Sequence, residues 1–538
     1  MRLVSNLDQL CARGFDARTA LLSPRLRRDA LGMTTPLLVE DDEQPPTWLV
    51  RHQERGAIEV STLAEANVVY HDPYMTLNAE RDRVEPSLSA AVEKLAGGQA
   101  VEVDPDLILA RFDAIAERVT LRIRESEPSI RAVAEGTHTL DTQTLDTQTV
   151  EQRFRELLNQ IRPAAQKLVA ASEDLAPLGP LMDEWTSDTR FADLEELLAQ
   201  RGADALLATS PINTEELLGK PSATYAGAIY ARNSGEVRLF SADPLPALRA
   251  SRARRILVEE NDLPIGIAAA LRSEGFTLDY GSDAIAKWRE RRDYQYLPAL
   301  IIVTAASRYA LDEAITWARD QISTRAAITE RDVQHKYLQY ARRFAKSIGV
   351  EGVINEFFSN CHAGTRTLHP CLAAPYDLDL GTTSLKLDAG LAVVVDGVTL
   401  ATSDVARTYL GSDEATGVYE AFQKIVRETI ADQLRPGVVF ADLHGHVLER
   451  IRSERSLLSS AGLWPSGIDL DTRYAMRNVG HLMGRQESFS SEFRVGEAEQ
   501  LRIGDYGACE IQWPFGNHAI GAEEMWILTP TGPILLTK

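Results

Sequence analysis

Cysteine is scarce in this chain. Four occur in 538 residues (Cys11, Cys361, Cys371 and Cys509), and no two form a CxxC pair. That pattern argues against a disulfide scaffold and fits a reducing, cytoplasmic setting. Positive charge is also short: 57 Lys and Arg stand against 78 Asp and Glu, a net charge of −21. Such a balance speaks against a nucleic-acid or anionic-membrane partner. Long apolar runs are missing. The longest, LPALIIVTAA at 297–306, carries a proline and is too short to span a bilayer, and the opening MRLVSNLDQL has no apolar signal core. There is no GxSxG elbow, no P-loop and no GxGxxG after a strand. What is present is an ordinary globular mixture, 44% hydrophobic and 25% charged. The length suggests about two to four domains.

Three units emerge along the chain, all mixing helix and strand patterns. Residues 1–189 alternate short apolar and helix-like segments and carry no chemical motif. Within them GTHTLDTQTLDTQTV (136–150) holds a tandem TLDTQ, has little to bury and reads as a linker or exposed loop. Residues 190–304 read as a small α/β domain. FADLEELLAQRG is an amphipathic helix closed by Gly202, ADALLATS is a buried strand, and TYAGAIYARNSGEVRLF is two strands around Asn233-Ser234-Gly235. Residues 305–538 open with long helical patterns and contain an internal echo. The segment Arg325–Val333 aligns with Arg435–Leu443, each ahead of an amphipathic helix. With the strands that follow each helix pair, this predicts a duplicated αβ unit with pseudo-twofold symmetry.

The chemistry starts at SLKLDAGLAVVVDGVTLATSDVARTYLG (384–411). It reads as a buried hairpin turning at Asp396-Gly397. Asp388 and Asp404 lie eight residues to either side of Asp396, so a symmetric hairpin sets them roughly opposite each other. Carboxylates that close repel, and burial sharpens the repulsion. Arg407 is the one basic side chain at an obvious partner position, so a divalent metal is the economical neutraliser. Further candidate ligands follow: His481 in VGHLMG, Glu510 in YGACEIQW, and Glu523 or Glu524 in GAEEMWIL, of which strand alternation turns one inward. Such an oxygen-rich set with one imidazole suits two Mn²⁺, Fe²⁺, Co²⁺ or Zn²⁺ ions about 3.5–4 Å apart sharing an activated water. His444 and His446, two apart on a predicted helix, do not share a face.

In that order, LKLDAG, TSDVARTYLG, GHLMG and CEIQWPFGNHAIGAEE resemble the pita-bread metallopeptidases, the family of methionine aminopeptidase, Xaa-Pro aminopeptidase, prolidase and the non-metal relative creatinase. The resemblance covers about 190–538. It implies a pita-bread domain at 305–538 behind a creatinase/prolidase-type N-terminal domain at 190–304. It also implies metal ligands Asp388, Asp404, His481, Glu510 and Glu523, with Asp404 and Glu523 bridging two ions and Glu510 handling the proton of the bridging water. His369, in TLHP, takes the place of the family's substrate-stabilising histidine, and His362, in NCHAG, is the nearby alternative. A homodimer is implied as well.

The sequence also departs from the pattern. After His481, where the peptidases carry a second catalytic histidine, GRQESFSS offers Gln486, Glu487 and Ser488. The arginine usual before the last glutamate is replaced by the glycine and alanine of IGAEE, with His518 a little earlier. Gln486, Ser488, His518 and His362 are therefore the candidate substrate-binding residues. The leading expectation is a dinuclear metal hydrolase that cuts a C–N bond in a short peptide or small amide. Alternatives are a non-peptidase member acting on a specialised metabolite and a binding module without turnover.

Overall fold

A computed structural model describes the chain except for residues 16–35, 56–57, 59–60, 73–83, 126–143, 185–187, 223–224, 291–294, 365–383, 412, 465–466, 468, 476 and 514–519. Two mixed sheets build the first half. Strands β1 (Arg2–Val4), β2 (Leu37–Glu40), β3 (Thr47–Arg51), β4 (Asn67–His71), β5 (Val84–Glu85), β6 (Val101–Val103) and β7 (Leu121–Ile123) form a sheet in the order β5-β4-β3-β2-β1-β6-β7. Strands β8 (Thr144–Asp146), β9 (Ala205–Ala208), β10 (Gly227–Ala231), β11 (Glu236–Phe240), β12 (Arg255–Val258) and β13 (Thr277–Tyr280) form the second, in the order β13-β12-β9-β10-β11-β8. One apolar core joins them: Leu3 and Val103 from the first share it with Leu207, Ile229 and Ile256 from the second.

The linker expectation for 136–150 fails over its second half. Leu145 is buried and pairs with Val237 as β8 adds to the edge of the second sheet. Asp146 then caps the helix Thr147–Ala171, its carboxylate accepting from the Thr149 N–H at 2.8 Å. Polar repeats hide such structure because one buried leucine and one cap suffice to anchor them. Residues 136–143 lie outside the described part of the chain.

The second half repeats one plan twice. Helices Leu297–Ser323 and Glu330–Ile348 precede β14 (Ile354–Ala363), β15 (Ser384–Val395), β16 (Val398–Thr402) and β17 (Val405–Leu410). Helices Asp413–Gln433 and Phe440–Ser453 precede β18 (Gly480–Met483), β19 (Glu487–Glu492), β20 (Tyr506–Trp513), β21 (Ile520–Thr529) and β22 (Gly532–Leu535). The first sheet runs β14-β15-β16 with β17 also on β15; the second runs β19-β18-β20-β21-β22, and every pairing is antiparallel. The echo noted in the sequence falls at the start of the second helix of each pair. In the first copy Thr329 and Asp332 close a reciprocal capping box.

The apolar run at 297–306 is the opening of a buried 27-residue helix, with Leu297, Ile301 and Val303 fully covered. Among the described residues no helix is long and apolar enough to cross a membrane. That helix lies on β15, β16 and β17, while Asp413–Gln433 lies on β20, β21 and β22. The helices thus cover the outer faces, and the inner faces meet through β17 and β15 against β21. The polar residues discussed next sit in that seam.

Candidate metal centre

Asp396 and Gly397 form the two-residue turn between β15 and β16 with φ of 50° and 81°, the left-handed pair that such a hairpin requires. A bulge between Val393 and Val394 then shifts the returning strand. Asp388 therefore stands opposite Ala406 rather than Asp404. This corrects the symmetric-hairpin expectation: the two aspartates are diagonal neighbours, because a turn that pairs Val395 with Val398 is centred between residues 396 and 397 rather than on Asp396, which moves the register one step, and the bulge moves it one more.

Asp404 sits in the break between β16 and β17. Ser403 just before it is anchored by Ser307 of the helix Leu297–Ser323, with hydroxyls 2.8 Å apart, and accepts from the Leu391 N–H at 3.0 Å. Gly390 makes room for the break, since a Cβ there would lie 2.0 Å from the Ser403 carbonyl oxygen. His481 comes from β18 and Glu523 from β21. His481 Nε2 lies 3.8 Å from Asp404 Oδ2 and 3.7 Å from Glu523 Oε1. One ligand atom from each of the three fits within 4.8 Å of the others, and all three residues are buried. A divalent ion bound at about 2.0–2.2 Å sets its ligand atoms roughly 3.4 Å apart at tetrahedral angles. Two carboxylate oxygens and an imidazole nitrogen, closed off from water, fit such an ion with little movement.

The two other expected ligands are placed differently. Among the described residues neither Asp388 nor Glu510 joins the compact group. Asp388 Oδ2 faces the Lys386 ammonium at 3.8 Å and the Gln512 side-chain amide at 3.4 Å. Lys386 is buried and donates to Gln512 Oε1 at 3.0 Å. Burial pushes its pKa below the ordinary lysine value, and Asp388, Glu510 and Glu523 work in the opposite direction. Glu510 faces Glu523 directly across the β20–β21 ladder, yet its carboxylate accepts from the Arg477 guanidinium at 2.9 Å. His444 steadies that arginine from behind, with Nε2 3.1 Å from the Arg477 carbonyl oxygen.

Arg407 is not the neutraliser of the aspartates. It pairs with Glu524 at 3.0 Å and donates to the Glu523 carbonyl at 2.8 Å. Strand alternation in β21 thus turns Glu523 toward Asp404 and His481, and Glu524 toward Arg407 and Arg427.

His362 is buried and lies across from Lys386 in the β14–β15 ladder, so it shares the face that carries Asp388. Gln486 lies in the tight turn after β18, its carbonyl accepting from the Gly484 N–H, and Ser488 belongs to β19. His369 and His518 lie outside the described residues. Sequence reading missed Lys386, Arg477 and Gln512. The first had a signal, because in KLD a residue two before Asp388 shares its face of the strand. Arg477, in the segment ahead of β18, had none.

Residues 300–530 match the family model for Metallopeptidase family M24. Across solved structures, an X-prolyl aminopeptidase from Caenorhabditis elegans, described as a cytosolic enzyme with a di-nuclear active site, aligns with 98% of this chain and 89% of its own at a TM-score of 0.58 and 11% identity. An Xaa-Pro dipeptidase from Bacillus anthracis covers 65% of this chain and 98% of its own at 0.51 and 14% identity. The N-terminal domain of FACT complex subunit SPT16 from Cicer arietinum covers 65% of this chain and 95% of its own at 0.52 and 11% identity. No curated protein sequence matches. At these identities the solved structures speak to the fold. Together with the family match they place a pita-bread domain of metallopeptidase family M24 at residues 300–530 of this chain.

Proposed function

We propose that this protein is a metal-dependent hydrolase that cleaves a C–N bond in a short peptide or small amide, in the manner of an Xaa-Pro peptidase with an altered pocket. The observation that carries the reading is the buried triad of Asp404, His481 and Glu523, one from each of three strand segments, inside an M24 domain. A divalent ion held there supplies Lewis acidity and a hydroxide-like water at neutral pH. Around it, Glu510 is the carboxylate beside the ligands that can take a proton from the attacking water, and Arg477 fixes its orientation. His362, on the face of Lys386 and Asp388, is a candidate to hold the substrate carbonyl. The second catalytic histidine and the arginine of the family pattern are absent, which supports a changed substrate rather than an ordinary aminopeptidase. A homodimer and a cytoplasmic location go with this reading; light scattering and cell fractionation are the measurements.

The test is metal content of protein purified without chelator, together with turnover of a short-peptide panel that includes Xaa-Pro substrates. Bound transition metal and hydrolysis, both lost in Asp404→Asn, are the expected result. Protein that takes up no Mn²⁺, Co²⁺ or Zn²⁺ sinks the reading. The binding-module alternative would then stand, and it draws on one observation: two of the five expected ligand side chains already face cations of the chain itself.

A further inference from the structure

We infer that the centre holds one metal ion per chain, and that Lys386 and Arg477 supply the positive charge a second ion would bring. The inference rests on the hydrolase reading above and departs from the two-ion expectation drawn from the sequence.

Charge comes first. The seam gathers four carboxylates, on Asp388, Asp404, Glu510 and Glu523, with the imidazole of His481. Two divalent ions would balance them if the chain offered no cation. It offers two. Lys386 is 3% exposed and Arg477 is 6% exposed, so neither discharges into solvent. With both in place, one divalent ion completes neutrality. A second would leave two excess positive charges in a buried space, which is costly to desolvate.

Geometry points the same way. The three residues that converge, Asp404, His481 and Glu523, make one coordination group. A second ion would need Asp388, whose Oδ2 instead faces Lys386 and Gln512. Glu510, which would join His481 on an ion, has its Oε2 in an ion pair with Arg477.

The lysine's position is built, not incidental. Its stem crosses β21 where residue 521 is glycine, and a Cβ there would come within 2.9 Å of both Lys386 Cδ and Gln512 Oε1. Gln512 accepts from the ammonium and presents its amide to Asp388. Arg477 is held through its carbonyl by His444. Each protein cation therefore has its own support, as resident groups of a site do.

The experiment counts ions. Protein loaded with excess Mn²⁺ and desalted is assayed by elemental analysis, and its electron paramagnetic resonance spectrum is recorded. One Mn²⁺ per chain with an uncoupled six-line spectrum is expected. Lys386→Gln combined with Arg477→Gln should raise the count to two and give an exchange-coupled spectrum. Two ions per wild-type chain would overturn the inference and leave the hydrolase reading intact. No ion bound overturns both. One ion in wild type and still one in a double variant that circular dichroism shows to be folded would remove Lys386 and Arg477 from the role. If the double variant does not fold, the wild-type count and spectrum decide alone.

Discussion

Arg407 grips Glu524 from the strand opposite: its guanidinium lies 3.0 Å from the carboxylate and also donates to the Glu523 carbonyl at 2.8 Å. Glu524 is fully buried and is held further by Arg427 and by the Thr537 hydroxyl. This cluster sets the rotation of β21, and so the aim of Glu523 toward Asp404 and His481.

Glu524→Gln should accordingly cost about 3–5 kcal/mol, because it leaves the buried Arg407 guanidinium without its anion, while the half-exposed Arg427 turns to solvent. Urea unfolding followed by circular dichroism measures this. Mn²⁺ affinity should fall in the same variant although residue 524 touches no ligand atom. Unchanged stability and affinity would contradict the positioning role.

Gly521→Ala is a small change at a crowded place. The new methyl group would meet Lys386 Cδ and Gln512 Oε1 at 2.9 Å. Lys386 must then leave its contact with Gln512. Overpacking of this kind costs about 1–3 kcal/mol. Turnover should fall more than the melting temperature does, since the displaced group lies in the site.

Arg485 joins the halves of the molecule. It follows the strand of His481 and bonds to Glu216 at 2.5 Å, Glu215 at 3.1 Å and the Thr399 carbonyl, while its N–H donates to Glu290 at 3.0 Å. Arg485→Met removes one partner of a buried pair, with an expected loss of about 3–5 kcal/mol. Calorimetry should then show the single unfolding transition broaden or divide. A variant that melts as sharply and as high as wild type would show that the contact does not couple the two halves.

Tyr296, Tyr337, Tyr474 and Tyr506 are buried, and burial raises the pKa of each above the ordinary 10.0. The unfolded chain loses these protons from about pH 10, whereas the folded chain keeps them. Their contribution is thus fully present below that pH and is lost as pH rises further. Absorbance at 295 nm should show these tyrosines ionising together with unfolding. Ionisation near pH 10 in still-folded protein would refute the burial.

Much of the site was readable in the chain alone. Asp388, Asp404, His481, Glu510 and Glu523 stood out in the chain as candidate ligands, of which Asp404, His481 and Glu523 meet, and the turn at Asp396-Gly397 follows from a local rule, since a two-residue hairpin turn demands positive φ. The helix start at Thr329 and the helix end at Gly202 belong to the same class, because caps are local chemistry. What only the tertiary structure decided is which cation meets which acid. The two-residue turn and the bulge at Val393/Val394 together moved Asp404 past Asp388. Packing of β20 and β21 against β15 brought Lys386 to Gln512. The segment before β18 delivered Arg477 to Glu510. Coulomb energy depends on distances across the fold, and residues 33 to 126 positions apart in sequence acquire those distances only when the fold closes.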